Sequence, residues 1–232
     1  MTPTLLFARE HLRAPLTLTL LIVLPAIFVV LAASVLGEFA DALGGSLLGD
    51  AASALGAGWS AAFIAGSLGY FQAASSRGAD RRLVLSGFGV TRMALTRIGA
   101  SLLLAVLAGA VALTALAAKT GIVHPWHAAA AVLGFSIIYL AVGTVVGALV
   151  ASPLEGSLLV AFVFILDVFS GPGMTEGGGS PLSISRSAAD VLIAAGIGGG
   201  SSAGEWIELA AWTLGALLVA LSVFVASARS RL

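Results

Sequence analysis

Six stretches of nearly unbroken apolar character run along this chain, at residues 16–36, 51–74, 98–118, 128–151, 157–170 and 206–226. A helix needs roughly 20 apolar residues to cross a bilayer. Five of the stretches meet that length; the fifth in order is short and runs into Gly171-Pro172-Gly173. The stretches are continuous rather than alternating, and too long for barrel strands, so they predict helices. The expected fold is an all-α integral membrane domain occupying residues 1–232, with six transmembrane helices.

Three segments do not fit a span. Residues 4–15 alternate apolar and basic positions and end at Pro15, the pattern of a short amphipathic helix on the membrane surface, with Arg9 and Arg13 on its polar side. Residues 75–96 hold a basic cluster interleaved with Leu83, Val84, Leu85 and Phe88. Residues 171–204 are rich in Gly and Ser around a modest apolar stretch at 188–197, too short to span. It predicts a re-entrant or short-helix segment between the fifth and sixth spans.

Charge fixes the expected orientation. Arg9, Arg13, Arg77, Arg81, Arg82, Arg92, Arg97, Arg229 and Arg231 fall on one side of a six-span arrangement, and Lys119 and Arg186 on the other. Basic loops stay inside, so both termini are expected to be cytoplasmic. Glu38, Asp41, Asp50, Glu176, Asp190 and Glu205 then lie outside. A positive start, an apolar run and Ala40-Asp41-Ala42 also resemble a cleaved signal, but the run is too long for a signal core.

Composition agrees with the hydropathy pattern. Hydrophobic residues make up 59% of the chain and charged residues 9%, against about 25% charged in soluble domains. Cysteine is absent, which removes disulfides, thiolate metal sites and cysteine nucleophiles. No phosphate-binding loop is present, since Lys119 lacks the glycine pattern and the runs 177–179 and 198–200 lack a following Lys-Ser/Thr pair. His124 and His127 flank Pro125-Trp126, which breaks a helical metal pair and reads as an interfacial turn. No catalytic set, metal site or cofactor is expected in the chain, and it is not expected to be an enzyme. Nucleic acid is not an expected partner.

Asp167 is the one carboxylate inside a predicted span. Such a residue is a functional candidate, facing a bundle interior if deep. The nearby Gly171-Pro172-Gly173 places it instead at the outer interface. Gly58, Ala62 and Gly66, and Gly143 and Gly147, recur at the four-residue spacing that lets membrane helices approach closely.

The order of these features resembles the membrane subunit of type-2 ATP-binding-cassette exporters. The resemblance rests on the basic start Arg9-Glu10-His11-Leu12-Arg13-Ala14-Pro15 and the proline at Leu24-Pro25-Ala26. It also rests on the charged loop from Ser76-Arg77-Gly78-Ala79-Asp80-Arg81-Arg82-Leu83 to Arg92 and Arg97, and on the outer segment before the last span. The resemblance implies a permease in a bacterial inner (cell) membrane. It would work as a dimer of two membrane subunits, identical or different, with separate ATPase subunits that bind ATP and Mg. It further implies that Arg77, Asp80, Arg81, Arg82, Leu85, Phe88 and Arg92 lie at the ATPase interface. Tyr70, Phe71 and Gln72 would lie at the inner entrance of a substrate path that Asp167 could also line. The scarcity of charge in the spans favours an amphipathic or apolar substrate, such as a drug, peptide antibiotic or lipid. The alternative is an ATPase-independent membrane protein: a proton-coupled carrier using Asp167, or a scaffold.

Overall fold

The computed structural model describes residues 15–47, 49–75, 89–150, 152–176, 180 and 183–229. Arg9, Arg13, Arg77, Asp80, Arg81, Arg82, Leu85 and Phe88 lie outside the described residues. Within them the chain forms helices α1 (Pro15–Ala42), α2 (Gly49–Ser75), α3 (Val90–Lys119), α4 (Pro125–Leu149), α5 (Pro153–Phe169), α6 (Arg186–Ile197) and α7 (Ala203–Arg229). The β-type pairing among the described residues is a single bridge, Gly44 to Thr175, which ties the α1–α2 turn to the segment after α5.

The helices are longer than the apolar runs that mark them. α3 begins at Val90 although its apolar run begins at residue 98, so Arg92 and Arg97 are both helical. Arginine is a good helix former, and hydropathy penalises it where backbone hydrogen bonding does not. α1 runs on to Ala42 past Glu38 and Asp41 for the same reason.

α2 is the axis of the bundle, with 83% of its most apolar stretch buried. Its sequence makes this possible, because a helix of Ala, Gly and Ser admits neighbours on every side. The closest neighbour is α4. A Cβ on Gly143 would collide with the Gly66 carbonyl oxygen, and one on Gly147 would lie 2.6 Å from the Tyr70 oxygen. The spacing at Gly143 and Gly147 is therefore a backbone-to-backbone contact, whereas Gly58 meets the Phe135 and Leu192 side chains. α5 runs beside α2 in the opposite sense, with Gly156 against the Tyr70 ring and Gly171 against Trp59. The start of α3 and the end of α7 meet at one end of the bundle, where Met93, Ala94 and Phe224 pack together.

The expected six spans are not what the helices show. Four are long and apolar enough to cross a membrane, namely α2, α3, α4 and α7, or five if the bent α1 counts as one span. α5 has only 17 residues, about 25 Å of helix against a hydrocarbon core of about 30 Å. The chain is thus an α-helical, multi-pass membrane protein with four to five spanning-length helices among the described residues.

α1 bends by 50° between Ile22–Leu31 and Ser34–Ala42, beyond Pro25. Side chains serve the carbonyls around the bend. Lys119, the lone lysine, comes from the end of α3 and donates to the Val29 and Val30 oxygens at 2.9 and 3.0 Å. Ser34 Oγ donates to the Leu31 oxygen at 3.1 Å. Bending turns carbonyls outward from a helix, and in an apolar surrounding they gain most from a charged donor. Lys119→Met keeps the length of the stem and removes the donor. It should lower stability by on the order of 1–3 kcal/mol, read as a shifted unfolding midpoint in detergent. Lys119→Arg should recover most of the loss, and a Met variant as stable as the parent would mean the bend needs no such donor.

Candidate functional site

The residues singled out from sequence separate to opposite ends of the bundle. Tyr70 is fully buried near the end of α2, and its hydroxyl donates to the Ser152 oxygen at 2.8 Å, fixing the α4–α5 turn. Its ring fills the space that a side chain at residue 156 would need, so Gly156 is required there. Phe71 packs edge-on to Tyr70 with ring centroids 5.1 Å apart and is half-exposed. Gln72 is buried and shares with Arg97, Ser101 and Thr144 a polar nook of about 10 Å³. That is at most the volume of one water. Arg92 lies exposed on the first turn of α3, and its carbonyl accepts from Thr96 Oγ1 at 2.7 Å.

Asp167 lies at the other end, about 16 Å along α5 from Gly156. Its side chain is buried within the protein. Oδ2 accepts from the Tyr139 hydroxyl at 2.7 Å and from Ser185 Oγ at 2.5 Å. Oδ1 accepts from Ser183 Oγ at 2.8 Å, the Ile184 amide at 2.8 Å and the Ser185 amide at 3.4 Å. The chain beyond α5 has folded back over the end of that helix and is held there by one carboxylate. Ser185 is the N-cap residue of α6, but its hydroxyl serves Asp167 and makes no cap bond. Tyr139 comes from the middle of α4 and is steadied by Phe164, with ring centroids 5.8 Å apart.

α6 continues this cap. Ala188, Val191, Leu192 and Ala195 form one fully buried stripe at helical spacing. Leu192 fits beside Gly58 of α2. The helix ends at Gly198, whose φ of 81° is the left-handed conformation that favours glycine. The Ala195 oxygen accepts from the His124 amide at 3.1 Å. His127 then stacks edge-on to Trp206, with ring centroids 5.0 Å apart, joining the first turns of α4 and α7. Among the described residues no group of three His, Cys, Asp or Glu side chains is placed to hold a metal ion.

A groove of about 600 Å³ lies between α4 and α7. Val142 and Val145 of α4 and Trp212 and Val219 of α7 form its walls, and Ile184 of the cap closes its outer end. Glu208 is its one ionisable lining residue. Only 17% of the most apolar stretch of α7 is buried, so the groove opens sideways toward the bilayer. The amide of Ile184 is bound by Asp167. One carboxylate thus fixes both the cap and the outer wall of the groove. None of Tyr70, Phe71, Gln72 and Asp167 lines it.

Above the groove the rim is acidic. Glu205 and Glu208 lie close enough to Asp190 to act on its carboxyl, which Arg186 meets at 3.7 Å. Burial is the main force raising the Asp190 pKa above its ordinary value; Arg186 opposes the rise, and Glu205 and Glu208 add to it. Sequence reading missed Tyr139, Ser183, Ser185 and the groove. The available signals were a tyrosine in mid-span and serines recurring after Gly179, but neither identifies a partner. No protein-family model matches this chain, and no curated protein matches it either.

Proposed function

We propose that this chain is the membrane subunit of an ATP-driven exporter, a permease that takes an amphipathic or apolar molecule from the bilayer and is driven by a separate ATPase. The groove between α4 and α7 carries this reading. It is a lateral, apolar cavity of about 600 Å³, within the volume range of small-molecule sites. The proton-carrier alternative draws less support, because the hydrogen bonds at Asp167 tie the cap to α5 and α4. A relay carboxylate needs a path for its proton to leave, whereas Asp167 is 4% exposed and ringed by five donors.

In this proposal the protein sits in a bacterial inner membrane with the arginine-rich end cytoplasmic. It pairs with a second membrane subunit. ATP and Mg belong to the partner ATPase, and the chain itself performs no chemistry. Closure of the ATPases would act on the α2–α3 loop and shift the helices around the groove between two arrangements.

Copurification with an ATP-binding-cassette ATPase tests the reading. Phe88→Ala, or joint replacement of Arg81 and Arg82, should reduce the recovered ATPase and its substrate-stimulated hydrolysis while inserted permease stays at the parent level. One exposed ion pair contributes only about 0–1 kcal/mol, whereas an aromatic anchor contributes about 2 kcal/mol or more. Normal assembly and hydrolysis in both variants would leave the basic loop as a lipid-binding and topology element.

A further inference from the structure

We propose that the α4–α7 groove binds an amphipathic organic cation, its apolar body lying between the two helices and its positive group held at Glu208. This names the substrate class of the exporter reading and rests on that reading only for the transport step.

The groove divides into two chemical parts along its length. From Glu208 to Val219 the α7 wall extends about 16 Å, roughly half the hydrocarbon thickness. Below Glu208 the lining is aliphatic apart from Trp212. A neutral apolar body would gain nothing from a charged end, and an anionic amphiphile would be repelled there. The rim sharpens the choice. Glu205 and Glu208 both act on the Asp190 carboxyl, whose ion-pair partner is Arg186 at 3.7 Å, so this rim carries three carboxylates and one guanidinium. The local field favours a positive guest. Trp212 stands between the acidic mouth and the aliphatic floor and offers an aromatic face to a cationic or flat ring system.

A second copy of the chain would meet this groove with an apolar helix and leave Glu208 facing lipid. A phospholipid would bring a phosphate toward the acidic rim. Both fit the charge less well than a lone cation on an apolar body.

The test uses the purified full chain in nanodiscs without any ATPase, so its outcome is independent of whether an ATPase partner exists. Rhodamine 6G is the cationic probe, followed by fluorescence polarisation. Two variants address the two parts of the site. Glu208→Gln removes the charge and should weaken binding about fivefold or more, the factor corresponding to about 1 kcal/mol. Gly215→Leu fills the groove. No atom lies within 4 Å of a Cβ built at Gly215, so the side chain enters open space and should abolish saturable binding without unfolding the protein. An uncharged dye of similar size should bind parent and Glu208→Gln alike. Equal saturable binding of rhodamine 6G to the parent and both variants would overturn the proposal. So would non-saturable uptake that follows lipid content alone, or a Gly215→Leu variant that changes oligomeric state and leaves dye binding intact.

Discussion

Asp167→Leu should detach the outer cap from the bundle, while Asp167→Asn should leave it in place. The difference follows from which donors meet which oxygen. The Ile184 and Ser185 amides both point to Oδ1, and an amide N–H can only donate. Oδ2 receives only the hydroxyls of Tyr139 and Ser185, which can accept as readily as they donate. Asparagine can place its oxygen at the Oδ1 position and its NH2 toward the two hydroxyls, so the network survives with weaker bonds. Leucine leaves two backbone amides and three hydroxyls without their acceptor. Each unsatisfied group costs about 1–3 kcal/mol, enough to release residues 183–185. Single cysteines placed at Ser187 and Ala189, both buried, should be unreactive to an impermeant thiol reagent in the parent and the Asn variant. They should label readily in the Leu variant. A proton carrier would behave otherwise, because Asn mimics the protonated acid and cannot release a proton. Normal stability with abolished, gradient-driven transport in Asp167→Asn would therefore favour the carrier reading and reject the anchor.

The second large effect is expected at Gly143. Its missing side chain lets the backbones of α2 and α4 touch, since a Cβ there would collide with the Gly66 oxygen and lie 2.8 Å from the Tyr70 amide nitrogen. Backbone cannot move aside as a side-chain tip can, so even Gly143→Ala must push the two helices apart. Overpacking typically costs about 1–3 kcal/mol. This site lies between the two most extensively packed helices, so Gly143→Val should reach or exceed the top of that range. The expected result is a sharp fall in the unfolding midpoint in detergent and in the yield of folded protein. Gly215→Ala is the matched control, because a Cβ there meets nothing within 4 Å; it should be neutral. A Gly143→Ala variant as stable as the parent would show that the two helices have slack.

The same two sites separate what sequence reading reaches from what it cannot. The four-residue spacing at Gly58, Ala62 and Gly66, and at Gly143 and Gly147, is a local pattern that already states which face of each helix admits a neighbour. It does not say which helix that neighbour belongs to. The identity of each spanning-length helix was legible for a similar reason: transfer into lipid depends on composition over a window of residues, and a window is a one-dimensional quantity. The span count was overstated because the short apolar run 157–170 is counted as a crossing, and the helix that forms there, Pro153–Phe169, has only 17 residues and stays below spanning length. α3 was drawn too short because its charged first turns are unfavourable in lipid yet fully compatible with a helix.

Asp167 stands out in the sequence as a carboxylate in an apolar run, but nothing adjacent in the chain accounts for it. Its partners come from α4 and from residues 183–185, and Lys119 similarly meets carbonyls 89 and 90 residues away. The groove arises the same way, from two helices whose contact is set by how all the others pack. The sequence alone determined that this protein is a bundle of apolar helices, since burial in lipid acts on each segment by itself. Tertiary structure alone decided which carboxylate holds the cap, which lysine serves the bend in α1 and where the groove opens. Hydrogen bonds and cavities belong to pairs of segments, and the pairing exists only once the chain has folded.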